Sequence, residues 1–127
     1  MISLLLAFGE PIMPKRVYKV CATEAWIAAE QTGFFIGSTD DVRDGFIHLS
    51  SAGQLAGTLR KHFPNASGLL LLAFDADSLS PALRLEASPS GQIYPHLYGS
   101  LPVAAACQSW PLPLDAAGIH ILPGDLV

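Results

Sequence analysis

The sequence is poor in charge and in cysteine. Only 14% of its 127 residues are charged, and 7 basic against 11 acidic residues give a net charge of −4. That balance argues against the cationic face with which proteins usually grip duplex nucleic acid. Two cysteines, Cys21 and Cys107, are too few for a disulfide framework. Both lie in apolar runs, where free cysteine behaves as a small hydrophobe, so two buried, reduced thiols are expected. Long apolar stretches are missing too. The apolar part of the N-terminus, Ile2 to Phe8, covers seven residues, against about 20 needed to span a bilayer. No positive charge precedes it and no small-residue cleavage pattern follows it. A cytoplasmic protein without a membrane partner is the resulting expectation. Several enzyme signatures are also absent: a glycine-rich phosphate loop, a zinc-spaced cysteine pair, an HExxH helix and a GxSxG elbow. No metal site is expected.

What is present is a half-apolar chain with 10 prolines and 11 glycines. This composition is too apolar for disorder and too rich in breakers for a helical bundle. Residues 1–12 read as an N-terminal extension from a mis-called start, loosely packed, because Met13-Pro14-Lys15-Arg16 stands just before a strand. Residues 13–127 then form a single α+β domain. Arg16 to Cys21 alternates and is rich in β-branched and aromatic residues, which predicts a strand. Thr23 is placed to cap a helix over Glu24 to Gln31, with Trp26, Ala29 and Ile27 inward and Gly33 as its stop. Ile36 to Asp44 is polar and turn-rich, and Gly45 to Leu49 reads as a short strand. Ser51-Ala52-Gly53-Gln54 fits a capping box ahead of a helix that ends at Pro64. Leu69 to Phe74 is a continuous apolar run of strand length, expected to be buried on both faces. Asp75 to Pro81 reads as a tight connection. The strand Leu83 to Glu86 is followed by a turn at Ser88-Pro89-Ser90-Gly91. Ile93 to Tyr98 carries Pro95, which removes a ladder donor and predicts an edge or irregular strand. Val103 to Leu112 is a last strand. The order of two βα pairs and then a run of strands argues for α+β, with two main helices.

Two polar clusters stand out in this apolar chain. In Asp44-Gly45-Phe46-Ile47-His48-Leu49-Ser50-Ser51, strand periodicity puts Phe46, His48 and Ser50 on one face. His48 then lies beside a helix start, where free N–H groups favour anions, and Ser50 and Ser51 add hydroxyls. In Tyr94-Pro95-His96-Leu97-Tyr98-Gly99, the side chains of Tyr94, His96 and Tyr98 share a face and form a polar, aromatic wall. Glu86, at a strand end, is placed to pair with Arg84 or Lys19 or to stand free at a site. His62 and His120 read as surface residues.

The motifs Asp44-Gly45-Phe46-Ile47-His48-Leu49-Ser50 and Pro95-His96-Leu97-Tyr98-Gly99 resemble the signatures of a small bacterial family, domain of unknown function 952. Val17-Tyr18-Lys19-Val20, Trp26, Phe74-Asp75 and Leu85-Glu86 fit it as well, so that the resemblance spans about Arg16 to Leu114. It implies an ADP-ribosyltransferase-like fold: split, mostly antiparallel sheets around a cleft that in active relatives holds NAD. Set against such transferases, Lys19 stands on the first strand and His48 and Ser50 on the second. His96 and Tyr98 take the late position, where an obvious glutamate is lacking. That set is closer to the histidine-using RNA 2′-phosphotransferase type. The family brings no established activity with it, and fold alone does not settle function.

The leading expectation is a pocket for a nucleotide-like ligand, NAD or an ADP-ribosylated compound. His48 and His96 would be its catalytic residues, and Lys19, Ser50, Ser51, Glu86, Tyr94 and Tyr98 its ligand-binding ones. Tyr94 and Tyr98 would flank a ring. As an enzyme it would carry out ADP-ribosyl transfer or NAD glycohydrolysis. The rivals are a non-catalytic module for a small metabolite and a structural or interaction protein. A lone acidic partner for the ribose would favour the enzyme. Nothing in the sequence sets the oligomeric state.

Overall fold

The computed structural model describes residues 11–126. Of the N-terminal extension, Pro11 and Ile12 are described and exposed; residues 1–10 lie outside the described part.

The first strand, β1 (Arg16–Ala22), leads into α1 (Thr23–Thr32). The short strand β2 (Phe34–Phe35) and helix α2 (Thr39–Asp44) follow, then β3 (Ile47–His48). A 3-10 turn at Ala52–Gln54 runs into α3 (Leu55–His62). Next come β4 (Leu69–Asp75), the one-turn helix α4 (Ala76–Leu79), β5 (Leu83–Ala87) and β6 (Ile93–Leu97). The chain closes with β7 (Leu101–Pro102), a 3-10 turn at Val103–Ala105 and β8 (Ala106–Pro111). The fold is α+β, with antiparallel sheets ordered β1-β4-β8, β2-β7 and β3-β6-β5.

The apolar run at 69–74 becomes the middle strand of the first sheet and is covered on both faces, as its composition requires. Leu72 and Phe74 point to one side with Val17 and Cys21, where Trp26 of α1 packs with Phe35. Leu69, Leu71 and Ala73 point to the other side with Tyr18 and Val20, against Leu55 and Leu59 of α3. The sheets meet at Ser50, just past β3. Tyr18 N–H donates to Ser50 O at 2.8 Å and Ser50 N–H to Tyr18 O at 3.0 Å. This bridge joins the edge of β1 to the segment that leaves β3, and a cleft lies beside it.

Several local expectations need correction. Thr23 does not cap α1. Its hydroxyl and its N–H both donate to Gly68 O, each at 2.8 Å, because the chain entering β4 passes there. Ile27 faces solvent. Cys21 is buried, but Cys107 is exposed on the edge strand β8. The polar run 36–44 holds α2, started by a reciprocal capping box between Ser38 and Asp41. β6 is a central strand, although it carries Pro95. Pro95 O accepts from Leu49 N–H at 3.0 Å, so the side without a donor faces β3, whose ladder with β6 covers only two residues.

Candidate functional site

The cleft holds a cavity of about 430 Å³, walled by β1, α2, the segment 46–50, α3 and β6. Asp41 is part of its wall and is only 2% exposed. Lys19 Nζ lies 2.8 Å from Asp41 Oδ2, and the Ser38 N–H donates to the same oxygen at 2.9 Å. Asp41 Oδ1 accepts from His48 N–H at 3.0 Å and faces His48 Nδ1 at 2.6 Å. Burial alone would raise the Asp41 carboxyl. The His48 hydrogen bond and the Lys19 ammonium outweigh it and hold the carboxyl well below the usual carboxylate range. Lys19 Nζ also donates to His48 O at 3.0 Å. On the other side of the imidazole, His48 Nε2 meets Asp44 Oδ2 at 3.0 Å. Carboxylates only accept, so a ring nitrogen bonds to its carboxylate when it carries a hydrogen.

His96 is the register partner of His48 across the β3–β6 ladder. It is 7% exposed, and its ring stacks on Phe46 at 3.9 Å between centroids. Glu86 Oε1 lies 2.8 Å from His96 Nδ1 and accepts from Tyr98 Oη at 2.7 Å. The Tyr98 hydrogen bond, and then that of His96, hold Glu86 below its ordinary value, so it is an anion at neutral pH. An anionic acceptor at Nδ1 fixes the proton there and leaves the lone pair of the neutral ring on Nε2. No described residue bonds to Nε2. Every fully enclosed side-chain nitrogen or oxygen among the described residues has a partner, so Nε2 reaches open space, and the open space beside His96 is the cavity.

Residues 20–109 match the family described as Protein of unknown function (DUF952). This chain belongs to the DUF952 family. It is similar to CC0527 from Caulobacter crescentus, whose crystal structure is 40% identical with a TM-score of 0.80, over 84% of this chain and 93% of that one. The solution NMR structure of CC0527 gives 40% identity and a TM-score of 0.76, over 84% and 91% of the two chains. No curated protein matches.

The sequence pointed to eight site residues, and this DUF952 structure gathers five of them around the cavity: Lys19, His48, Ser50, Tyr94 and His96. All five have side-chain partners: His48 meets Asp41 and Asp44, His96 meets Glu86, and Tyr94 Oη donates to Gln92 Oε1 at 3.1 Å. Lys19 serves Asp41, and Ser50 Oγ lies 2.8 Å from Thr58 Oγ1. The other three do not line the cavity. Ser51 closes a capping box at the 3-10 turn ahead of α3, its N–H donating to Gln54 Oε1 at 3.0 Å. Tyr98 is exposed, with the Arg84 guanidinium 4.8 Å over its ring, so Tyr94 and Tyr98 do not flank a common ligand ring. Glu86 pairs with His96 and Tyr98 and not with Arg84 or Lys19. Residues missed in the sequence also wall the cavity: Asp41, Arg43, Thr58, Lys61 and His62. For Asp41 a signal existed, the Ser38-x-x-Asp41 pattern of a capping box. Among the described residues no group of three or more His, Cys, Asp or Glu is arranged to hold a metal ion, and no helix is long and apolar enough to cross a membrane.

Proposed function

We propose that the cavity binds a small ligand of nucleotide type, such as ADP-ribose or an adenine nucleotide, through hydroxyl and phosphate groups. The observation that carries this reading is the Glu86–His96 pair, which aims an unshared imidazole nitrogen into the cleft. Such a nitrogen accepts a hydrogen bond from a ribose hydroxyl or takes its proton. The volume of about 430 Å³ lies within the range of small-molecule sites. Phe46, Phe63 and Tyr94 bring aromatic rings to the cavity wall, and Lys61 and His62 bring side-chain nitrogens. The likeness to ADP-ribosyltransferases draws support from the antiparallel sheets that part around this cleft.

The carboxylates weigh binding against transfer. Transfer from NAD must stabilise positive charge developing on the ribose. Among the described residues each carboxylate lining the cavity already has a cationic partner: Asp40 has Arg43, Asp41 has Lys19, and Asp44 has Arg43. Glu86 is held outside the cavity by His96 and Tyr98. This pairing favours a binding site with His96 as acceptor or base over glutamate-assisted ADP-ribosyl transfer. Titration calorimetry with NAD, ADP-ribose and AMP at millimolar concentration tests the reading. At least one should bind, and His96→Gln should weaken it about threefold to tenfold, the ordinary net value of one hydrogen bond. Failure of all three to bind, or equal binding by His96→Gln, would overturn it. Release of nicotinamide from NAD would restore the transferase reading.

A further inference from the structure

Asp44 occupies a cradle built for an anion. Its Oδ1 accepts from Arg43 Nε at 2.9 Å, and its Oδ2 lies 3.4 Å from Arg43 Nη2 and 3.0 Å from His48 Nε2. Two guanidinium donors and one imidazole nitrogen thus converge on one carboxylate at the cavity wall. A forked guanidinium with a third donor beside it is the arrangement that recognises carboxylates and phosphates. The groups differ in how firmly they are held. His48 is fixed from behind by Asp41, which is buried and has Lys19 as a further partner. Asp44 is the last residue of α2, is half-exposed, and precedes Gly45 in the left-handed region at φ 84°. Nothing buried depends on its side chain. Arg43 keeps a second anchor in Asp40 at 3.1 Å when Asp44 leaves.

We propose that His48 Nε2 and Arg43 form an anion subsite of the cavity, and that Asp44 fills it as an internal carboxylate which a ligand phosphate displaces. This rests on the cavity being a ligand site and adds where the ligand's charged group goes. A phosphate brings more charge and more acceptor oxygens than the carboxylate it replaces, so the exchange is favourable for a ligand that also reaches His96 Nε2. The two histidine rings are 5.7 Å apart between centroids, so one small molecule can touch both. Asp44 then sets specificity, because a neutral ligand gains nothing by moving it.

The test uses inorganic phosphate and ADP-ribose with the full chain and three variants. Asp44→Ala opens the subsite. Asp40→Ala removes the same charge from the same arginine without touching His48, and so measures the general electrostatic gain. Asp44→Ala should bind phosphate at least tenfold more tightly than the wild type, and several-fold more tightly than Asp40→Ala. The double variant Asp44→Ala/His48→Gln should lose that gain. In case this variant folds poorly, 15N NMR of the Asp44→Ala imidazoles gives a second readout. Phosphate should move the His48 Nε2 resonance and leave Nδ1, held by Asp41, nearly unchanged. If ADP-ribose binds the wild type but Asp44→Ala binds phosphate no better than Asp40→Ala, the subsite is wrong and the pocket stands. If neither compound binds any form, the pocket and the subsite both fall.

Discussion

His48 and His96 face each other across the β3–β6 ladder, edge to face, and the protein treats them differently. Both ring nitrogens of His48 meet carboxylates, whereas His96 has one such contact and an open Nε2. One histidine is a fixed donor within a chain of charges. The other is an oriented acceptor.

The chain of charges starts at Lys19 and Asp41, both almost wholly buried. Breaking a buried pair leaves an uncompensated charge. Asp41→Ala should therefore cost about 3–5 kcal/mol of folding stability. Lys19→Met should cost less, because Asp41 keeps His48 and the N–H donors of Ser38 and His48. Equilibrium urea unfolding checks the order. A more damaging Lys19→Met would mean that the ammonium, and not the carboxylate, organises the site.

Acid should act through the same residue. The Asp41 carboxyl is depressed in the folded protein relative to the unfolded chain. A depressed carboxyl stabilises the fold above the unfolded value, about 3.9, and this contribution is lost as pH falls towards the folded value. Stability should be level above about pH 5 and fall steadily below it. In Asp41→Asn the curve should start lower and fall less steeply on the acid side. Parallel acid limbs for the two proteins, measured by urea unfolding at several pH values, would assign the acid sensitivity to other groups.

The strand periodicities of Phe46-Ile47-His48 and Tyr94-Pro95-His96 were enough to set both histidines on sheet faces. Only the register between β3 and β6 makes them opposite partners. Asp41 was hidden because a carboxylate in a polar run reads as solvated turn. Its burial depends on Lys19, far away in sequence, being carried by β1 into the same cleft. Lys19 shares the strand face of Val17 and Cys21, so its charge already asked for a buried partner. The strand rule for Pro95 failed for a local reason: the neighbouring ladder is too short to need its missing donor. Alternation and the family resemblance both put Tyr98 at the site. Gly99 turns the chain directly after it, and the side chain serves Glu86 from outside.

The thiols should separate cleanly. Cys21 is buried, and burial, only partly offset by Lys19, pushes its pKa up to about 11. Cys107 is exposed, with Sγ 3.2 Å from Ala73 O. Reaction with a chromogenic disulfide at pH 8 should consume one thiol quickly in the native protein and the second only in urea. The thiolate is the reacting form, so both protonation and access protect Cys21. Fast loss of both thiols in native buffer would show that the face of β1 under α1 opens readily.

Glu86 should control the proton on His96. With the carboxylate in place, the neutral ring carries its hydrogen on Nδ1. Glu86→Gln offers either a carbonyl or an amide to that nitrogen and so relaxes the choice. In 15N NMR above neutral pH, His96 of the native protein should show a protonated Nδ1 and a bare Nε2. The variant should show a mixture, or the reverse tautomer. Tyr98→Phe removes a donor from Glu86 without touching His96, so it should leave the native tautomer intact. His48 is a control within each spectrum, because its carboxylates are Asp41 and Asp44 and neither is altered. Ligand affinity should follow the tautomer, falling in Glu86→Gln and holding in Tyr98→Phe. If Glu86→Gln leaves the His96 nitrogens unchanged, the carboxylate does not set the tautomer, and the aim of Nε2 into the cavity needs another cause.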